Sequence, residues 1–540
     1  MRLTATADKD AVRRQVGALG GSIIRFQESL HTVVLTVPAS KLARLTAVPG
    51  VTDVVADSEV AAQSLGFAPE SNPGAMTNVT RITGATEMWK KGYTGKGIDV
   101  AVIDTGIAPV SGLLDPNKVI IGPDLSFESQ DVNTRYLDTY GHGTNMAGII
   151  AGREVAPSTG SAYAADTSNH YGMAPDARLV SLKLADHGGA VDVSQMIAAI
   201  DWVVANRWKE GMNIRVLNIS YGTISKQNAQ ADPLSWAAEI AWKLGIVVVA
   251  SAGNDGDTTV GLASPAYNPW VIAVGAQDTK GTASYTDDTV PSFSERGING
   301  GRGPDVVAPG VGIISLGVPG SLLYETYKSA RIGNGFLRGS GTSQSAAVVS
   351  GAVALLLQRY VWLTPDDAKA YLMSSATSLA GTSATAQGAG AIDLRKAMAT
   401  VPAPKPQTVA TGNGYGSLES ARGGQHVQFD GVDLSGEQDI MGQPWDSSRL
   451  SIPAGAWQWD GSFNGSIWTG TGLTADTTTW AGRSWAGKTW QGKTWQGKTW
   501  QGKTWQTGTW SGKGWSSSSW SSPVPTPGWA GRIWASAGWN

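Results

Sequence analysis

Ile98-Asp-Val-Ala-Val-Ile-Asp104-Thr-Gly106 is an apolar run that ends in a carboxylate on a glycine turn. Such a run reads as a strand buried on both faces, the kind that builds parallel sheets. Further runs of this type are Arg178–Leu184, Arg215–Ile219, Ile246–Ser251, Val271–Gly275 and Asp305–Ala308. Stretches with helical spacing lie among them: His142–Ala151, Val193–Asn206, Leu234–Leu244, Ser343–Tyr360 and Pro365–Ser374. The alternation predicts an α/β fold over residues 79–400, with a mostly parallel sheet and helices on both faces. A carboxylate at the C-terminal end of a buried strand, as Asp104 is, sits where open α/β sheets place their active sites.

Outside that region the chain changes character. Residues 1–64 read as a small α+β unit, with helical spacing at Ala11–Leu19 and Ser40–Ala47 and strands at Thr32–Val37 and Val51–Ala56. Residues 65–78 are a linker of turn-formers. Proline punctuation at Val401–Pro406 opens a Gly/Pro/Ser-rich connecting region, 401–478. In the tail, 479–540, tryptophan recurs every five residues from Trp480 to Trp520 in a unit close to Trp-Gln-Gly-Lys-Thr.

At 540 residues the chain is too long for one ordinary core. Lys+Arg of 41 against Asp+Glu of 43 argues against a nucleic-acid binder. The absence of cysteine excludes thiol catalysis, thiolate metal sites and disulfides. No apolar run reaches ~18 residues, so no membrane span is expected. Met1–Asp10 lacks the apolar stretch of a signal peptide.

Three segments carry the chemistry. Asp104 stands in Val102-Ile-Asp-Thr-Gly106, His142 in Gly141-His-Gly-Thr144 and Ser343 in Gly339-Ser-Gly-Thr-Ser343. Alone, each has a plain reading: a turn carboxylate, a capping histidine, an N-cap serine. Together they supply what acyl transfer needs, because a serine hydroxyl is a weak nucleophile until an oriented histidine takes its proton. Of five histidines only His142 opens a core-like helix from a glycine turn, where glycine on both sides would let a substrate backbone approach the imidazole. Ser343 begins a long helix, whose first-turn amides and dipole favour an oxyanion. Asn254, at the end of Ala250-Ser-Ala-Gly-Asn254, can donate a second hydrogen bond to it.

Taken together, these motifs over residues 79–400 resemble the subtilisin-like serine proteases. Gly172-Met-Ala-Pro-Asp-Ala-Arg-Leu179, Asn218-Ile-Ser-Tyr-Gly222 and Pro304-Asp-Val-Val-Ala-Pro-Gly310 carry the same likeness. The resemblance implies an endopeptidase with Asp104 as orienting carboxylate, His142 as general base then acid, Ser343 as nucleophile and Asn254 as the oxyanion amide. It implies that Ser220, Tyr221 and Gly222 pair with an extended substrate and wall the S1 pocket, with Ala263 and Ser264 near its floor. Neither of those two is charged, so uncharged P1 residues are expected. Residues 1–64 resemble the inhibitory prodomain of these proteases, which implies self-cleavage in the linker and the prodomain as the enzyme's own inhibitor. A self-activating protease points to an extracellular or cell-surface location.

No cofactor is required by this reading. For structural calcium, which often stabilises that family, Asp255, Asp257, Asp287 and Asp288 are candidate ligands. No loop matches a defined calcium motif, and a solvated acidic loop is the expected state. The family usually continues after the serine with Met-Ala and then Pro-His; here Gln344-Ser-Ala-Ala-Val348 follows, without a thioether beside the nucleophile. For the tail two readings stand: a self-packed β-repeat, or a loose array of aromatic faces beside lysines that binds cell-wall polymer or polysaccharide. The competing functional reading is a catalytically weak or inactive protein of this fold that acts as a surface-binding module through that tail.

Overall fold

The computed structural model describes residues 1–440 apart from 5, 28–30, 55–71, 130–133, 257–260, 299–300 and 430–431, together with Trp445 and three short strand fragments between 494 and 512. Most of the linker and nearly all of the tryptophan repeat lie outside the described residues. The chain divides into two compact units, Met1–Ser64 and Leu65–Asn540.

The first unit is α+β, as expected. Its four strands run antiparallel in the order Ser22–Gln27, Thr32–Thr36, Arg2–Leu3, Val51–Asp53. The helix spans Lys9–Ala18, and Asp8 caps it by accepting from the amides of Asp10 and Ala11 at 2.9 and 3.2 Å. The second expected helix is a 3₁₀ segment, Ala39–Ala47. Leu3, Val12, Val16, Val33, Leu45 and Val48 form the core.

The second unit is built on seven strands: β1 (Asp99–Asp104), β2 (Val119–Asp124), β3 (Arg178–Lys183), β4 (Ile214–Ile219), β5 (Val247–Ser251), β6 (Ile272–Gln277) and β7 (Val306–Pro309). All pair in parallel, in the order β7-β6-β5-β4-β1-β3-β2. Every residue of β1, β5, β6 and β7 is buried, which a parallel sheet achieves when helices cover both faces. Helices α1 (His142–Ala151) and α4 (Thr342–Arg359) pack on each other and on the sheet, as do α2 (Val193–Asn206) and α3 (Pro233–Lys243). Helix α4 is buried continuously from Thr342 to Leu357, so its sequence is apolar all round rather than striped. Among the described residues no helix is long and apolar enough to cross a membrane.

Strand β2 was not expected from the sequence. It is an edge strand, and its Gly122-Pro123 pair looks like turn punctuation; an edge tolerates a proline because the missing amide faces no partner. From β1 the chain passes to the edge strand β2 and back to β3 on one side, then crosses to β4 and runs outward through β5 and β6 to β7 on the other. Strand β1 is thus the point where the order reverses, and the C-terminal ends of strands at such a point are where open α/β sheets place their sites.

Residues 401–440 do not simply lead away. They return along the second unit, with Leu418, Ala421, Val427, Leu434 and Ile440 buried in its core. Gly412 donates to the carboxylate of Glu239 on α3 at 3.0 Å, and Lys243 to Thr411 Oγ1 at 2.8 Å.

Candidate active site

The candidate residues gather at the C-terminal end of β1. Asp104 closes β1 and is wholly buried, and its Oδ1 accepts from the Thr105 amide at 2.8 Å. His142 opens α1, also wholly buried, with Nδ1 2.7 Å from the same Oδ1. A carboxylate oxygen can only accept, so Nδ1 is the protonated nitrogen and donates, which leaves the Nε2 lone pair for a proton.

The glycines beside His142 have a different role from the one expected. A Cβ at Gly143 would fall inside the carbonyl oxygen of Gly106, and one at Gly141 would strike Ser321 Oγ. They let the α1 turn close against the β1 turn, so they serve internal packing.

A fourth residue that the motif reading missed ties the two turns together. Asp138 accepts from Thr105 Oγ1 at 2.7 Å, the Gly141 amide at 2.6 Å, the Thr144 amide at 2.8 Å and Thr144 Oγ1 at 2.6 Å. Thr105 Oγ1 in turn accepts from the Gly143 amide at 2.8 Å. Burial pushes the Asp138 carboxyl above its usual range, against these four hydrogen bonds. The available signal was an acid three residues ahead of the glycine turn, in Asp138-Thr-Tyr-Gly141.

Ser343 lies in the first turn of α4, fully buried, and its Oγ donates to the carbonyl of Ser220 at 3.3 Å. His142 Nε2, also buried, has no hydrogen-bond partner among the described residues. The hydroxyl thus points to β4's exit loop rather than to the imidazole; nucleophile–base bonds are often loose before substrate arrives. Asn254 sits beside this turn: its Oδ1 accepts from the Thr342 amide at 2.9 Å and from Thr342 Oγ1 at 3.1 Å. An amide donor fixes which end of the carboxamide is oxygen, so the nitrogen is its other polar end.

The residues expected to bind substrate adjoin the same site. Ser220 Oγ donates to the Ser343 carbonyl at 3.4 Å, and the Tyr221 ring stands edge-on to His142 with centroids 6.0 Å apart. Burial, and next the Asp104 charge, push the Tyr221 hydroxyl well above its usual pKa. Thr223, directly after Gly222, exchanges backbone hydrogen bonds with Ser264 at 3.1 and 2.9 Å, which sets Ala263 and Ser264 alongside the Ser220–Gly222 segment.

Of the acidic residues considered for calcium, Asp287 and Asp288 have carboxylates that accept hydrogen bonds within the protein. Asp287 accepts from Thr282 Oγ1 at 2.9 Å, Asp288 accepts from Gln277, the Asp255 amide donates to Glu295, and Asp257 lies outside the described residues. Among the described residues no group of three or more acids and histidines could hold a metal ion.

A parallel sheet with a buried Asp–His pair at its switch point and a serine at a nearby helix start is the arrangement expected of a serine hydrolase of the α/β class. The comparisons narrow that class. A sequence model of the subtilase family matches residues 95–390, and the chain belongs to that family. It is 35% identical over 330 residues to serine protease AprX of Bacillus subtilis (strain 168), covering 60% of this chain and 71% of AprX. It is 33% identical over 300 residues to subtilisin DY of Bacillus licheniformis, covering 55% and 89%. It is 31% identical over 273 residues to the minor extracellular protease Epr of Bacillus subtilis (strain 168), covering 51% and 34%. The protein is a subtilisin-like serine endopeptidase that acts on protein substrates.

Proposed function

We propose that the protein is an extracellular endopeptidase made as a self-processing zymogen, with Asp104, His142 and Ser343 as its triad. The observation that carries this is the fully buried 2.7 Å bond between His142 Nδ1 and Asp104 Oδ1, with Ser343 nearby at the start of α4. Ser343 Oγ gives its proton to His142 Nε2 and attacks the scissile carbonyl carbon. Asp104 stays ionised, holds the tautomer and stabilises the imidazolium. The oxyanion is met by the Asn254 carboxamide nitrogen, whose oxygen end is held by Thr342, and by the positive end of α4. His142 then protonates the leaving amine. Water, deprotonated by the same imidazole, releases the acyl group.

Ser220, Tyr221 and Gly222 receive the substrate backbone as an added strand, with Ala263 flooring an uncharged S1 pocket. Residues 1–64 act as the removable inhibitor, and the similarity to a protease named extracellular supports export. The tryptophan tail tethers the enzyme to a polymer surface.

The test is intact mass and N-terminal analysis of wild type beside Ser343→Ala. The proposal expects wild type to lose its first ~60–80 residues, the span up to the processing region, while the variant stays whole. If both stay whole, self-processing fails: the chain is catalytically silent or is activated by another protease, and the surface-binding reading moves ahead.

A further inference from the structure

Strand β1 lies between β3 and β4, so the loops leaving those neighbours stand on either side of Asp104 and His142. They are residues 185–192 and 220–232. A third segment, outside the part of the chain that matches the family, joins them. It comprises 411–429 and 432–440, and its helix α5 (Leu418–Arg422) sits over both loops.

Toward the loop after β4, the contact runs through the backbone. The Ser420 carbonyl accepts from the Lys226 amide at 3.0 Å, and the Ala421 carbonyl from Thr223 Oγ1 at 2.6 Å. The Ser417 amide donates to Gln227 Oε1 at 3.0 Å. Gly423 follows so closely that a Cβ would overlap the Ile224 carbonyl oxygen. Toward the loop after β3, the contact is one guanidinium. Arg422 is fully buried, as is its partner Asp192. Its Nε donates to Asp192 Oδ2 at 2.6 Å, Nη1 to the Gly436 carbonyl at 2.7 Å and Nη2 to the Gln438 carbonyl at 2.5 Å. Asp192 also caps α2 through the Ser194 amide at 2.9 Å, and the Ile440 amide donates to Ser194 Oγ at 3.3 Å.

A buried ion pair adds little net stability over an apolar packing of the same volume. What this pair does is geometric: its planar fork fixes Asp192 against the strap, while the strap's carbonyls fix Thr223–Lys226. We propose that this strap sets the width of the substrate groove on the acyl side of the scissile bond, with Arg422 as a positioning residue for the affinity of extended substrates. The proposal rests on the protease reading, in which Ser220–Gly222 pairs with the substrate. The strap's contacts begin at Thr223, past Ser220–Gly222, and touch the S1 side only through the Thr223–Ser264 backbone pair, so an extended substrate senses the strap more than one that fills only the S1 pocket.

The experiment compares full-length wild type, Arg422→Ala and Arg422→Lys on two substrates with the same P1 residue, a single-residue ester and a tetrapeptide anilide. For Arg422→Ala the expected result is a KM for the tetrapeptide raised by ~10-fold or more, as a misplaced wall should give. Its kcat, and both constants for the ester, should stay within about twofold. Arg422→Lys keeps the charge without the fork and should fall between. An equal response of the two substrates, or none, overturns the strap as a groove-setting element. Should Arg422→Ala fail to fold, the lysine variant takes its place: a raised KM for the tetrapeptide alone supports the strap, and an equal response or none overturns it. Absence of wild-type turnover on the ester overturns the protease reading itself, and the strap proposal with it; turnover with an equal response overturns only the strap.

Discussion

The two compact units are held together by very different amounts of apolar packing. The N-terminal unit has six fully buried apolar side chains among its described residues. In the catalytic unit a single helix, α4, is buried over every residue from Thr342 to Leu357, against five strands that are themselves buried end to end or nearly so. A domain of about 60 residues buries proportionally little surface and is marginal alone, whereas a unit several times larger is self-sufficient. The difference suits a division of labour: a core that persists after processing, and a small attached unit that can be unfolded and removed.

That contrast breaks first at the nucleophile. Ser343→Ala should lower kcat by about 10⁶, the size measured for a subtilisin, a member of the same family. It should leave the two units covalently joined while the thermal midpoint of the catalytic unit barely moves. A processed N-terminus in the variant would show that another group, or another protease, makes the cut. Asn254→Ala comes next, at roughly 10²–10³ in kcat, again by analogy with a subtilisin. The lifetime of the joined form should lengthen by the same factor, read from the time course of intact mass.

The candidate centre was proposed from the sequence because each member stands in a glycine turn beside an apolar run. The predicted bounds of α1 and α2 coincide with those observed. Asp138 was not legible as a site residue, because its work is hydrogen bonding between two turns and an acid in a turn is common. The docking of 401–440 was hidden by composition. Proline, glycine and serine read as a connector, and nothing in the local pattern shows that Arg422 finds a buried carboxylate 230 positions away. Long-range polar pairing leaves no periodicity to read.

Equal truncations in the two units sharpen the contrast. Leu45 is 1% exposed and Leu355 is 0% exposed, so Leu→Ala at either should cost roughly 2–5 kcal/mol. In the Ser343→Ala background the first change should exceed what the small unit has, and its amides should exchange as an unfolded segment. The second should only lower the midpoint of the large unit. Protection of the N-terminal amides in Leu45→Ala would mean that the unit is far more stable than its core allows.

Acid should act on the catalytic unit through His170. Burial lowers its pKa to about 4 from 6.5, and its Nε2 donates to the Gly148 carbonyl at 3.1 Å. As pH falls below 6.5 the unfolded chain takes a proton that the folded state refuses until about 4. Stability is therefore full above 6.5 and declines toward 4, by ~3 kcal/mol in the limit. Asp186 opposes this. Burial raises its carboxyl to about 7, so the folded state takes the proton first and gains stability as pH falls from 7. The wild-type slope is muted by the pair, and the difference between wild type and His170→Gln isolates one side. Between about pH 4 and 7, the stability of wild type minus that of the variant should grow as pH rises. Parallel curves would remove His170 from the account.

The smallest effect concerns the residue after the nucleophile. Gln344 is wholly buried, and neither its Oε1 nor its Nε2 has a partner among the described residues. A thioether in its place would be apolar and of similar length, but open to oxidation. Gln344→Met should therefore raise the thermal midpoint, by on the order of 1 kcal/mol of stability for the unpaired amide removed. It should also make activity fall under peroxide, where wild type keeps it. Wild-type inactivation as fast as that of the methionine variant would show that oxidation reaches the site by another route. A lowered midpoint in Gln344→Met would show that the carboxamide has polar partners worth more than its burial costs. The catalytic unit thus carries, one residue from the proposed nucleophile, a buried amide that has no partner among the described residues.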